Sequence, residues 1–266
     1  MKKHTFIFLL FCSINFAFGQ ENMPKILAIY PTTDSIPVNI LRFYVQFSAP
    51  MQEMDILKHI HLQNEEGKNI SGIFFENQYE LWSENRTKVT LIIDPGRVKL
   101  GLLANNTMGR AFDVGKLYTL KVDSLLLDFN DQKLRNSFSK TFIAVQQDTI
   151  APDTKKWELL LPKVNTCESL VINFNDKIDH ISAQTLTKIR KGNKEIKGKI
   201  SLQNGEEQWL FTPKNKWQMG EYQVIVHPKL EDIAANSVHQ TFDHKTSEFK
   251  QNNSNNFIIQ FGVYTK

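Results

Sequence analysis

The chain has 266 residues, 41% of them apolar and 23% charged, with 32 basic against 28 acidic side chains and two cysteines. So small an excess of positive charge, spread evenly, argues against nucleic acid or an anionic membrane surface as a partner. Two cysteines exclude a disulfide framework, so any fold here is held by its apolar core.

Residues 1–19 read as a secretory signal peptide. Lys2 and Lys3 form the charged start, Phe6 to Phe11 the apolar segment, and Ala17-Phe18-Gly19 the small-x-small cleavage pattern before Gln20. The apolar run is too short for a retained transmembrane anchor, which takes about twenty residues. Phe11, bulky and directly before Cys12, argues against lipid attachment at that cysteine. Without the signal, Lys2 and Lys3 drop out and 30 basic residues face 28 acidic ones. Cys167 is then the last cysteine, expected to be partly buried and inert.

The mature part, about 245 residues, suits two domains that each bury a core of their own. Apolar residues recur at every second position in short runs, the period of strands with one face buried. Leu41, Phe43, Val45 and Phe47 alternate with Arg42, Tyr44 and Gln46; Val89, Leu91 and Ile93 repeat the pattern, as do Tyr118, Leu120 and Val122. Leu170, Ile172 and Phe174, then Tyr222, Val224 and Val226, follow in the second half. Turn formers separate the runs at Asn64 to Gly67, Asp94-Pro95-Gly96, Gly192-Asn193 and Asn204-Gly205. One stretch, Met51 to Lys58, reads as helix, of two turns at most. The basic run Lys188 to Lys199 reads as the solvated faces of a hairpin.

The chain also repeats itself. Phe43 to Ser48 matches Val171 to Asn175, Gly67 to Gly72 matches Gly192 to Gly198, Gly115 to Leu120 matches Gly220 to Val224, and Leu127-Asp128 matches Glu231-Asp232. The offset shrinks from about 127 to about 104, which leaves extra residues in the first copy, chiefly a long loop at 96–115. The phrase Phe47-Ser48-Ala49-Pro50-Met51, after Tyr30-Pro31 and Ile36-Pro37-Val38-Asn39, resembles the bacterial Ig-like domain of S-layer proteins, the SbsA type. The second copy is similar to divergent members, with Asn175-Asp176-Lys177-Ile178 in place of the Ser-x-Pro-Met phrase. The resemblance implies an all-β protein of two tandem immunoglobulin-like β-sandwich domains, at 20–148 and 149–266. The polar linker Gln146 to Asp153 joins them, and Phe257, Ile259 and Phe261 form the last strand after an asparagine-rich loop.

Candidates for chemistry are sparse. No G-x-S-x-G elbow, phosphate loop, H-E-x-x-H helix or nucleotide fingerprint occurs. Adjacent carboxylates such as Glu206-Glu207 and Glu231-Asp232 point to opposite faces of a strand and cannot share a substrate. His59 and His61 are an incomplete metal grip, His239 and His244 another, and Asp128, Asn130 and Asp131 fit an Asx turn better than a calcium site. No catalytic residue, metal or cofactor is expected. The expected role is that of a non-enzymatic, exported structural, adhesion or binding module of the bacterial cell envelope, periplasmic or surface-exposed, with an envelope protein or a glycan as partner. Carbohydrate binding is the alternative and a hydrolase a more remote one. Recognition is expected at the 96–115 loop through Arg97, Lys99 and Arg110, or by stacking on Trp217. Against this, the loop can instead fold back over a sheet edge or the domain junction.

Overall fold

The structure, a computed structural model, describes residues 23–76, 79–243 and 255–265. The signal peptide with Cys12, His244 and most of the asparagine-rich loop lie outside them. In the first half the strands are β1 (Ile26–Tyr30), β2 (Ser35–Pro37), β3 (Arg42–Phe47), β4 (Ile60–Gln63), β5 (Asn69–Ile70), β6 (Leu81–Trp82), β7 (Lys88–Ile92), β8 (Leu117–Val122) and β9 (Phe138–Val145). They form one sheet in the order β1-β3-β7-β6 and another in the order β2-β9-β8-β4-β5. The second half supplies β10 (Glu158–Leu160), β11 (Leu170–Asn173), β12 (Thr187–Lys191), β13 (Lys194–Glu195), β14 (Gly198–Gln203), β15 (Gln208–Pro213), β16 (Gly220–Val226) and β17 (Phe257–Val263). Their sheets run β10-β11-β15-β14 and β13-β12-β16-β17. The fold is all-β, two tandem sandwiches of immunoglobulin type.

Strand for strand the two halves correspond: β1, β3, β7 and β6 match β10, β11, β15 and β14, while β4, β5, β8 and β9 match β12, β13, β16 and β17. Even the isolated bridges repeat, Met51–Asp128 and Leu127–Lys133 recurring as Ile178–Asp232 and Glu231–Ser237. Among the described strands β2 has no counterpart; it is also the one strand paired in parallel, with β9.

Most residues that the alternation assigns inward are buried in two clusters, with Phe257 at the start of β17 left exposed. Phe43, Phe142, Phe112 and Tyr118 interlock in the first, with ring centroids 5.0 to 5.9 Å apart. Trp209, Phe211, Trp217, Tyr222 and Phe261 do so in the second. Edge-to-face contacts among such rings add to the area they remove from water.

Three details differ from the sequence-based expectation. The helix expected at Met51 to Lys58 is a single 3-10 turn, Ile56–Lys58, because Asp55 takes a left-handed φ of 52° just before it. Short helices occur instead at α1 (Pro95–Val98), α2 (Leu103–Met108) and α3 (His180–Thr185). Asp94-Pro95-Gly96, expected as a turn, starts α1: the Asp94 side chain accepts from Gly96 N, and Pro95 sits where no helical N–H is needed. Tyr44, expected on the wet face of β3, is buried. Its face of the sheet is covered by the second sandwich.

Trp217 lies at the centre of the second core, 1% exposed, with Nε1 donating to Glu168 O at 2.7 Å. Replacing it with alanine is expected to cost about 3–5 kcal/mol in urea unfolding, against a change within about 0.5 kcal/mol for Leu103→Ser on exposed α2.

Candidate functional site

A polar constellation joins the two sandwiches at their junction. Asp179 caps α3 by accepting from Ser182 N at 2.8 Å, and its other oxygen accepts from Tyr44 Oη at 2.7 Å across the junction. Arg42 pairs with Glu231 at 2.6 Å. Burial lowers the Arg42 pKa, but the Glu231 carboxylate, together with Tyr44 and Asp179, outweighs this and raises it overall. The turn Asn204-Gly205-Glu206 runs through three successive positive φ angles of 51°, 65° and 70°. That unfavourable backbone, for Asn and Glu, aims the Glu206 carboxylate at Thr32 N and Oγ1, each 2.8 Å away, and at Thr33 N. Lys140 Nζ donates to Thr32 O and Thr33 O from the other side. Asn39 exchanges two hydrogen bonds with the Asp148 backbone in the linker. Tyr30 stacks on His180 at 3.5 Å.

A carboxylate cluster adjoins this clamp. Asp148, Asp176 and Asp232 each place an oxygen within 4.8 Å of the other two. Asp232 Oδ1 accepts from Ala234 N and Asn236 N, and Oδ2 from Asn236 Nδ2. Asp128, its counterpart in the first copy, makes the same turn, accepting from Asn130 N and Gln132 N, so the Asx reading of 128–131 holds. The Met51–Asp128 and Ile178–Asp232 bridges align Ala49 with Asp176, so the cluster belongs to the second copy alone. Three carboxylates are about half the oxygen set of a calcium ion. Burial, then Asp148 beside it, pushes Asp176 up to about 6, and burial also raises Asp232. His180, with Nδ1 buried and unpartnered, is pulled down to about 3 by burial and by Lys88.

Of the residues expected to bind at the 96–115 loop, Arg97 turns inward and Lys99 and Arg110 lie half-exposed. Arg97 is buried and donates to Gly72 O, Gly109 O and Arg110 O, holding the loop from within. Lys99 Nζ lies 4.4 Å over the Phe242 ring, and Leu100 N donates to Asp243. Arg110 donates to Gln147 of the linker. These contacts tie the loop to itself and to the linker; burial takes Arg97 away from any partner, while Lys99 and Arg110 stay half-exposed. Trp217, being buried, offers no platform for a sugar. The part of the loop left outside mixes apolar and polar side chains, with Leu103 79% exposed beside Asn106 and Thr107, and α2 buries none of its side chains.

An open groove of about 440 Å³ runs beside β6 and β7, with Phe75 and Tyr79 on its rim and Asp55, Glu76 and Glu80 along it. Tyr79 is 69% exposed. Glu80 is fixed, accepting from Ile56 N and Trp82 Nε1. His59 and His61, the incomplete metal grip, both approach Asp123, at 3.1 and 4.0 Å. Glu206 and Glu207 lie in a turn rather than a strand and take separate partners, Thr32 for Glu206 and Lys177, at 3.0 Å, for Glu207. Cys167 is exposed rather than partly buried. Among the described residues no helix is long and apolar enough to cross a membrane.

No family model matches the chain, and no curated protein matches it. Among solved structures, native alpha-2-macroglobulin from Escherichia coli, in a crystal structure spanning domains MG0-NIE-MG1, is similar over 91% of this chain and 72% of its own, at 11% identity and a TM-score of 0.30. The titin domains z1z2 in complex with telethonin are similar over 76% and 88%, at 12% identity and a TM-score of 0.23. The I-band fragment I67-I69 of titin is similar over 76% and 59%, at 11% identity and 0.23. Likenesses this distant carry no functional argument.

Two proton equilibria at the junction oppose each other. A carboxyl raised to about 6 in the fold costs stability as pH rises from its ordinary 3.8 through 6. A histidine lowered to about 3 costs stability as pH falls below its ordinary 6.5. Urea unfolding of Asp176→Asn is therefore expected to show higher stability than the parent at pH 7.5 and a smaller gain at pH 4.5. His180→Phe, which keeps a ring against Tyr30, is expected to lose less stability than the parent between pH 6.5 and 4.5.

Proposed function

We propose that this chain is a non-enzymatic, exported module of the bacterial cell envelope, related to the Ig-like domains of S-layer proteins, whose two sandwiches act as one rigid arm. The observation that carries this reading is the clamp from Tyr44, Arg42 and Thr32 to Asp179, Glu231 and Glu206, made by partly or fully buried side chains. Polar bonds sheltered from water are directional and costly to leave unmade, so they fix an angle as well as an attachment. A spacer or adhesion arm needs that fixed angle. The linker, tied through Asp148 to Asn39, adds little freedom of its own.

Small-angle X-ray scattering of the mature chain is expected to fit a single shape, and the double variant Tyr44→Phe with Glu206→Ala a broadened set. A parent chain already as variable as the variant defeats the rigid-arm reading. Export is checked by fractionating the producing cells: the mature chain should appear outside the cytoplasm with Gln20 at its N-terminus.

A second reading, carbohydrate binding, is favoured by the groove at Phe75 and Tyr79, where exposed rings stand beside carboxylates that can accept from sugar hydroxyls. On an array of bacterial envelope glycans, binding that falls at least about fivefold in Tyr79→Ala but not in Leu103→Ser supports it, since stacked aromatic contacts carry about 1 kcal/mol.

A further inference from the structure

We propose that β17 is a docking edge for β17 of a second copy of this chain, the two strands pairing antiparallel about Gln260 to join two four-stranded sheets into one. The inference is independent of the rigid-arm reading and of the groove. It starts from a difference between the two otherwise matching sandwiches. In the first, the outer edge of the last strand, β9, is covered by β2 through the parallel pairs Ser35–Ile143, Ile36–Ala144 and Pro37–Val145. In the second, the corresponding strand β17 is outermost, and no described strand lies beyond it. The segment that follows β10, as β2 follows β1, is engaged elsewhere: Asn165 N donates to Trp217 O, and Trp217 N to Thr166 O.

A bare edge presents a row of unpaired N–H and C=O groups, and proteins commonly blunt such rows by shortness, charge or proline. The other edges of this protein are blunted in those ways. β5, β6 and β13 have two residues each, and β2 and β10 three. β1 lies between Pro24 and Pro31, and β14 carries Lys199. β17 has seven residues, and neither a charge nor a proline occurs from Asn255 to Thr265.

The second copy is the occupant that the strand itself fits. Phe261 and Val263 face the core, so Ile258, Gln260 and Gly262 face outward. A two-fold axis at Gln260 sets Ile258 opposite the other copy's Gly262, Ile259 opposite Phe261 and Phe257 opposite Val263. The Tyr264 ring lies against Gly262, where an added Cβ would come within 2.3 Å of it, and its hydroxyl donates to Glu221. Each exposed Ile258, at 54%, would therefore cover the partner's exposed Tyr264, at 52%, over the one position without a side chain. Both copies contribute the same uncharged strand, so no like charges stand opposite each other along it, and the contact closes on itself instead of growing into fibres.

Analytical ultracentrifugation of the mature chain across a concentration series tests this. The parent is expected to dimerise. Gln260→Lys, exposed in the single copy, sets two like charges face to face and should raise the dimer dissociation constant about tenfold, as should Gln260→Glu. Mixing the two variants should restore the dimer, because the axis then sets Lys against Glu. A parent that stays monomeric at every concentration overturns the proposal. So does a dimer indifferent to both substitutions, or a mixture that stays as weak as its components, while unchanged thermal unfolding of each variant keeps the fold out of the result.

Discussion

The architecture depends on one surface having two uses. The outer face of the sheet built on β3 carries Arg42 and Tyr44, side chains suited to water, and the second sandwich lays α3 and its loops over that face. Burying those groups without partners would cost more than the contact returns. The fold meets this by supplying Glu231 for the guanidinium and Asp179 for the phenol, each held by turns of the second copy. Asp179 serves twice, as the cap of α3 and as the acceptor for Tyr44. The relative placement of the sandwiches thus follows from where a helix begins.

Much of the fold was legible in the sequence because an alternation of period two is a local signal. Each strand states its inward face without reference to any other part of the chain, and the repeated Leu127-Asp128 and Glu231-Asp232 phrases keep their order. What could not be read was the outer face. Tyr44 and Gln46 look alike to periodicity, and only the neighbour that covers Tyr44 distinguishes them. The short helices were hidden for a related reason: Asp-Pro-Gly opens a turn or a helix with the same residues, and the choice depends on whether the following segment can close back.

The 96–115 loop shows how composition misleads when a charge is assigned to solvent by default. Its cations were the obvious recognition candidates, yet a guanidinium has five donors, and Arg97 spends three contacts on backbone carbonyls that would otherwise lack partners. The carboxylate cluster is the opposite case, assembled from the linker and two loops far apart in sequence. Its one local trace was the departure of Asn175-Asp176-Lys177-Ile178 from the phrase of the first copy, where Ala49 stands in the matching place.

The parallel pairing of β2 with β9 gives the two sandwiches different mechanical character. Tension applied through the chain on either side of the first sandwich draws β2 and β9 past each other lengthwise, so their three residue pairs bear the load together. Among the described residues the second sandwich has no parallel strand pair. The two halves therefore meet a lengthwise pull with different strand contacts.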